Sequence, residues 1–148
     1  MSTTLSHPPA RILLELLLAA NVVGDPDEIP NWAVVVKHMG PDEDNIIGFY
    51  DTAPIVVGRI LDGTHIRQYG VMARLRCGAT EYPVGYGKIY AIDEHLTTKV
   101  KNTLVDFDNA RYRVNSVYTE SGPMYTGEEP ETRRCIFTAN FIATLREL

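Results

Sequence analysis

The chain of 148 residues is 45% apolar and 22% charged, the mixture of an ordinary globular domain. That apolar content excludes disorder of the whole chain, because enough apolar surface exists to offset the entropy of ordering. The 14 Lys and Arg against 19 Asp and Glu give a net charge of −5. A dedicated nucleic-acid-binding protein is therefore not expected, since such proteins present a basic face to phosphates. The length predicts one domain over 1–148.

The first predicted element is an N-terminal helix, preceded by a flexible segment at 1–7. Pro8 and Pro9 fit the first turn of a helix, where their missing N–H groups are not needed. The helix is predicted over 10–21, and its sequence ARILLELLLAAN is apolar on nearly every side. Such a helix is either enclosed in its own domain or covered by another subunit, and the small size of the domain favours the second. The helix residues predicted to lie at a subunit interface are Leu14, Leu17 and Leu18.

Two segments rich in β-branched residues, 32–37 and 46–51, are predicted to form strands. The acidic turn at 40–45 between them favours a hairpin. Residues 52–70 then mix apolar residues with Pro and Gly over a length that is unusual for a loop in a compact domain. We therefore predict an extended arm or long hairpin that lies on a neighbouring subunit. The arm residues predicted to make this contact are Ile55, Val57, Arg59 and Ile60.

The second half of the chain is predicted to contain one helix and several strands. A strand is predicted at 71–77, a helix at 84–101 and two further strands at 104–107 and 112–118. They are followed by a Gly/Pro/Glu loop at 121–131 and a last strand at 132–144. Lys88 is among the residues expected on the outward face of that helix. The order α-β-β-arm-β-α-β-β-β predicts an α+β fold, with a mostly antiparallel sheet packed against two helices.

No residue pattern predicts a catalytic, metal or cofactor site. The four histidines lie on different segments without metal-ligand spacing, and no glycine pattern matches a phosphate or dinucleotide loop. Cys77 and Cys135 lie far apart inside apolar strands, so we expect reduced, buried thiols and synthesis in the cytoplasm. The apolar run at 12–20 is too short to cross a membrane. A small enzyme or ligand-binding domain remains a remote alternative, in which Asp51, Arg76 or His95 would be essential.

Three charged residues on different predicted strands suggest a role in subunit assembly. Asp51 closes one predicted strand, Arg76 lies in a second and Arg134 opens a third. The guanidinium groups can recognise carboxylates or backbone across a subunit interface. Equally, an intramolecular pair such as Asp51 with Arg76 can join two strands. Asn140, in the last strand, fits either a hydrogen-bonded core amide or a bulge.

Five segments carry a family resemblance: LLELLLAANVVG, IIGFYDT, MARLRCGATEYPVGYGKIYAIDEHL, YRVNSVYTESGPMYTG and RRCIFTANFIATL, which together span about nine-tenths of the chain. The residues at the shared positions are Arg76, Tyr82, Tyr118, Pro123, Gly127, Arg134, Phe137, Thr138, Asn140 and Phe141. In these segments the chain resembles the tail terminator and minor capsid (neck) proteins of tailed bacteriophages.

The resemblance implies a virion protein without catalytic activity that forms a ring, expected to be a hexamer, at the head–tail joint. Such a ring caps the tail tube protein, meets the head-side connector or stopper protein, and lets DNA pass through its lumen without specific binding. The alternative within the same joint is a head-completion or stopper protein. The acidic loop at 127–131 is either a plain solvated turn, which its composition favours, or the face for the tube or connector, through Gly127, Glu128, Glu129 and Glu131.

Overall fold

The computed structural model describes residues 5–52, 55–59 and 65–148, with side chains described outside 53–66. These residues form two helices and seven strands. In chain order they are α1 (Pro9–Ala19), β1 (Ala33–Val36), β2 (Ile46–Asp51), β3 (Ile55–Arg59), β4 (His65–Cys77), α2 (Tyr82–Thr98), β5 (Lys101–Phe107), β6 (Ala110–Glu128) and β7 (Cys135–Glu147). The predicted α+β class and element order are confirmed.

The strands form one sheet in the order β1-β2-β4-β7-β6-β5, with β3 pairing with β4. Every pairing is antiparallel except that of β1 with β2. In β7 every second residue joins the same hydrophobic core as α1 and α2, because successive side chains of a strand point to opposite faces. Both helices therefore pack on one face of the sheet, and the opposite face carries no helix among the described residues.

The predicted hairpin between β1 and β2 is wrong, because these strands pair in parallel. Ala33 lies opposite Ile46 and Val36 lies opposite Phe49. Each residue of the connection at 37–45 can span up to about 3.3 Å. The connection is therefore long enough to run back past the four residues of β1 before β2 begins. Two buried arginines bind this connection, as described below, and hold the start of β2 beside the start of β1.

The expectation that another subunit covers α1 is wrong for most of the helix. Leu14 is 4% exposed and Leu17 is fully buried inside the core of the single chain. The segment that follows the helix joins the same core through Val23 and Trp32. Most of α1 is therefore enclosed by its own domain, and of the three predicted contact residues only Leu18, at 36% exposure, remains a candidate for contact with another molecule.

Two irregular segments of the sequence contribute strands to the sheet, and of the two alternatives for 52–70, an extended arm or a long hairpin, the described residues form the hairpin. The segment at 52–70 contains β3, which pairs with the first residues of β4 as the arms of a hairpin, while Ile60 lies outside the described residues. The predicted loop at 121–131 is mostly strand, because β6 continues to Glu128 through several register shifts. Gly122 makes one of these shifts possible: its φ is +85°, and a Cβ there would lie 2.7 Å from the Thr138 carbonyl oxygen.

The N-terminal residues before α1 are anchored, contrary to the flexibility predicted for 1–7, of which 1–4 lie outside the described part. Ser6 donates from its backbone N–H and its hydroxyl to the carboxylate of Glu147, each at 2.8 Å. The His7 ring bonds the Tyr112 hydroxyl at 2.5 Å and the Asp108 carboxylate at 2.9 Å. These contacts join the residues just before α1 to β7, to β6 and to the turn between β5 and β6.

Candidate interaction surfaces

Arg76 and Arg134, two of the predicted interface residues, meet inside the subunit rather than at its surface. They are 3% and 8% exposed. Arg76 donates to the carbonyl oxygens of Gly40, at 2.7 Å, and of Glu43. Arg134 donates to the carbonyl oxygens of Pro41, at 3.0 Å, and of Glu43, at 3.2 Å. The two guanidinium groups therefore hold the acidic connection between β1 and β2, and the prediction of a subunit contact for them is wrong.

Glu129 supplies the carboxylate between these arginines. Its Oε1 accepts a hydrogen bond from Arg134 Nε at 2.7 Å, and its Oε2 lies 3.4 Å from Arg76 Nη1. Burial alone would raise the pKa of Glu129, but hydrogen bonds from Thr132 and Arg134 and the charge of Arg76 outweigh it and lower the pKa. The prediction that Glu129 faces a tube or connector is therefore corrected, because its carboxylate is used internally.

The rest of that predicted acidic loop is more accessible. Gly127 and Glu128 lie at the end of β6, not in a loop. Glu128 pairs with the exposed Arg133 at 3.1 Å, and Glu131 is exposed. These residues remain candidates for contact with another molecule.

Asp51 does not pair with Arg76. The register of β2 with β4 places Asp51 opposite Val71 and Arg76 opposite Ile46, at the two ends of the strand pair. Instead, Asp51 Oδ1 accepts a hydrogen bond from the backbone N–H of Ala10 at 2.8 Å. Its role within the subunit is to cap the first turn of α1.

A row of tyrosines is exposed along α2. Tyr82, Tyr86 and Tyr90 are 43%, 47% and 41% exposed. Their spacing of four residues places them on one side of the helix, with ring centroids 6.4 Å apart for the first pair and 4.5 Å for the second. Tyr125 of β6 extends this tyrosine row, with its ring centroid 5.1 Å from that of Tyr82 in an edge-to-face arrangement. The spacing of the three helical tyrosines was visible in the sequence, but only the resemblance drew attention to Tyr82.

The helix-free face of the sheet carries a second exposed apolar surface. Tyr118 lies opposite Ile142, and Met124 opposite Thr138, both on the side away from the helices. Tyr118 is 49% exposed and Met124 is 43% exposed. Met72, on the central strand β4, belongs to the same face. Large apolar side chains concentrated on one face are typical of a surface that another molecule covers.

A groove of about 610 Å³ lies between the ends of α1 and α2 and the edge strand β5. Leu18 and Leu104 contribute exposed apolar side chains to it. His95 and Lys99 lie on its α2 side, and burial together with the charge of Lys99 lowers the pKa of His95. The groove is open and mixed in character, so it is a weaker candidate than the two apolar surfaces.

Lys88 is buried at 9% exposure, although the helical pattern placed it outward. Its ammonium donates to the Val22 carbonyl oxygen at 2.7 Å and to Glu28 Oε1 at 2.6 Å. This contact fastens α2 to the segment that follows α1. It satisfies the requirement that a buried charge be paired and hydrogen-bonded.

The remaining predicted interface residues Ile55, Val57 and Arg59 lie in or beside the backbone pairing of β3 with β4, and their side chains fall outside the described part. Asn140 is half-buried outside the hydrophobic core and donates to the Ser121 hydroxyl at 2.8 Å, and the adjacent register shift lies in β6 rather than in the strand of Asn140. Within 5–52, 55–59 and 65–148, no group of three His, Cys, Asp or Glu side chains is placed to hold a metal ion.

Comparison with known proteins yields no family: no protein-family model matches the chain, and no curated protein matches it. No helix in the described part of the chain combines the length and apolar character that a membrane span requires.

Proposed function

We propose that the chain is a structural subunit of a tailed-phage virion, a ring-forming tail terminator at the head–tail joint. The observation that carries this proposal is the pair of exposed apolar surfaces on opposite sides of the domain. The tyrosine row lies on the helical side, and Tyr118 with Met124 lies on the helix-free side. A two-layer domain with an apolar surface on each side is suited to a position between two neighbours.

The two surfaces differ in shape and composition, and this difference affects the symmetry with which copies of the chain can assemble. One is a helix edge bearing a row of neighbouring tyrosine rings, and the other is the open face of a sheet. Contact of the first surface of one copy with the second surface of the next is a heterologous contact. Such contacts close into a ring when the rotation between copies divides a full turn, and otherwise form a filament. This arrangement supports the ring expected from the family resemblance.

The acidic end of the sheet fits a role around passing DNA. The connection at 40–45 and the end of β6 lie together, held by Arg76 and Arg134, and they present Asp42, Asp44 and Glu128 to solvent. Carboxylates facing a lumen repel phosphates, so DNA can move through without being bound. In the proposed assembly the same ring meets the tail tube protein on one side and the head-side connector or stopper protein on the other.

The proposal is tested by native mass spectrometry of the purified chain, alone and with the tail tube protein of the same phage. A closed oligomer of defined size, hexameric by the resemblance, is the expected result. A monomer under both conditions at micromolar concentration would contradict the proposal. Cryo-electron microscopy of particles then separates the two roles at the joint: density directly on the last tube ring supports a terminator, and density on the head side of the joint supports the stopper alternative.

A further inference from the structure

Cys77 and Cys135, distant in sequence, are direct partners in the sheet. Cys77 ends β4, Cys135 begins β7, and the register of this antiparallel pair places them opposite each other. Both side chains therefore point to the same face, the one covered by α2. Cα atoms of directly opposed residues in such a pair lie about 4.5–5.5 Å apart. That spacing falls within the range of about 4.4–6.8 Å that disulfides require.

The surroundings of the two sulfur atoms bring them together. α2 crosses above Cys77 at Gly85, where a Cβ would lie only 2.6 Å from the Cys77 sulfur. The Cys77 thiol donates to the Glu81 carbonyl oxygen at 3.4 Å, and the Cys135 thiol lies 4.0 Å from the Ala79 carbonyl oxygen. The turn between β4 and α2 thus holds both thiols at the end of the sheet, and both cysteines are free.

We propose that Cys77 and Cys135 are a site of reversible oxidation, at which an intramolecular disulfide joins the central strands β4 and β7. The oxidant is a small peroxide or disulfide supplied by an oxidising medium. This inference stands on the register and burial of the two cysteines. It is independent of the proposed role in a virion, and either can fail without the other.

With hydrogen peroxide the reaction proceeds in two balanced steps. Cys135 reacts first, because it is 4% exposed whereas Cys77 is fully buried. Its sulfur attacks the peroxide, an S–O bond forms, the O–O bond breaks, and hydroxide leaves as water with the thiol proton. The Cys77 sulfur then attacks the sulfur of Cys135, the S–S bond forms, the S–O bond breaks, and a second water leaves. The two sulfurs lose two electrons in total, and the peroxide gains them.

Burial next to a second thiol explains why Cys77 is not the cysteine that reacts first with peroxide. Burial raises the pKa of Cys77 to about 12, and the neighbouring Cys135 contributes in the same direction. Cys77 therefore remains a thiol at neutral pH and resists direct oxidation, since the thiolate is the reactive form. The second step relies on proximity rather than on a reactive thiolate: the register holds the Cys77 sulfur beside the sulfenic acid, and the Cys77 proton leaves with the departing hydroxide as water.

The test uses the full chain, reduced, freed of reductant and exposed to hydrogen peroxide at neutral pH without denaturant. We expect the intact mass to fall by about 2 Da, the two thiol hydrogens, and a peptide map to show Cys77 linked to Cys135 within one chain. Reductant should restore the mass. The melting temperature of the oxidised protein should rise by about 10 °C, because the bond closes a long loop in the unfolded chain.

Cys77→Ala and Cys135→Ala serve as matched controls, and neither should lose 2 Da or gain melting temperature. The wild-type mass and peptide map decide the question even if a variant folds poorly. Two thiols that stay free under peroxide, separate sulfinic acids, or linkage only between two chains would overturn the proposal. A linked product that melts below the reduced protein would also overturn it, because the bond would then not fit the native sheet.

Discussion

Asp51 at the end of β2 accepts a hydrogen bond from the backbone N–H of Ala10 in the first turn of α1, at 2.8 Å. Pro8 caps the helix without a side-chain hydrogen bond, and Pro9 has no N–H, so Ala10 presents the first free N–H of the helix. The carboxylate also lies at the positive end of the helix dipole. A residue 41 positions away thus performs the task that a local N-cap side chain performs in most helices.

Replacing Asp51 separates this capping role from the predicted role in subunit recognition. We expect Asp51→Ala to lower the free energy of unfolding by about 1 kcal/mol, the usual cost of a lost cap, and Asp51→Asn to lower it less. Urea denaturation of the isolated protein measures the difference. An Asp51→Ala protein with unchanged stability but impaired oligomer formation would restore the interface interpretation.

Glu129 and Glu128 are neighbouring acidic residues whose replacement by Ala should lower the stability of the protein by very different amounts. Glu129→Ala leaves Arg76 and Arg134 buried without their shared carboxylate and should cost about 3 kcal/mol. Glu128→Ala removes only the exposed pair with Arg133 and should cost less than about 1 kcal/mol. Denaturation of both variants in the same buffer tests this. Equal losses would show that the arginine cluster does not depend on Glu129.

The stability that Glu129 provides should depend on pH. Because its pKa is lowered in the folded protein, the stabilisation is present above the ordinary value of 4.5 and is lost as the pH falls through the lower folded pKa. We therefore expect the wild type to lose more stability than Glu129→Gln between pH 6 and pH 3. Parallel acid dependence in the two proteins would count against a lowered pKa.

His95 should contribute a second pH dependence, at a higher pH. Burial and the nearby Lys99 lower its pKa from the usual 6.5, so the folded protein favours the neutral ring. The unfolded chain binds the proton first as the pH falls, so this contribution is present above pH 6.5 and is lost below it. Thermal melts between pH 8 and pH 5 should show a smaller decrease for His95→Gln than for wild type. His38→Gln, at an exposed position, should behave as wild type.

The two apolar surfaces can be tested by one exposed substitution each. Tyr86→Ser and Tyr118→Ser should each raise the protein concentration needed to form the oligomer at least tenfold. Each substitution removes a large aromatic contact at little cost to folding. Ile29→Ser is the control, since Ile29 is 95% exposed and belongs to neither surface. Native mass spectrometry with thermal melts checks assembly and folding together. Unchanged assembly in both tyrosine variants would remove these surfaces from the proposed contact.

The sequence by itself determined the fold class and most of the elements. The period of the apolar residues placed the core face of β7, and the Pro-Pro pair marked the start of α1, because these signals depend only on local backbone geometry. The continuation of β6 through Gly122 and Pro123 was missed, since turn residues within a strand are recognised only when the partner strand supplies the hydrogen bonds.

Only the tertiary structure decided which polar groups meet. Local pattern placed Lys88 outward, but the packing of α2 brought Glu28 and the Val22 carbonyl within its reach. The same applies to Asp51, which accepts a hydrogen bond from the N-terminus of α1 instead of pairing with Arg76. It also applies to Cys77, which lies opposite Cys135 in the neighbouring strand. Sequence periodicity fixes which face of an element is buried, whereas strand order and register fix its neighbours, and those depend on the whole chain.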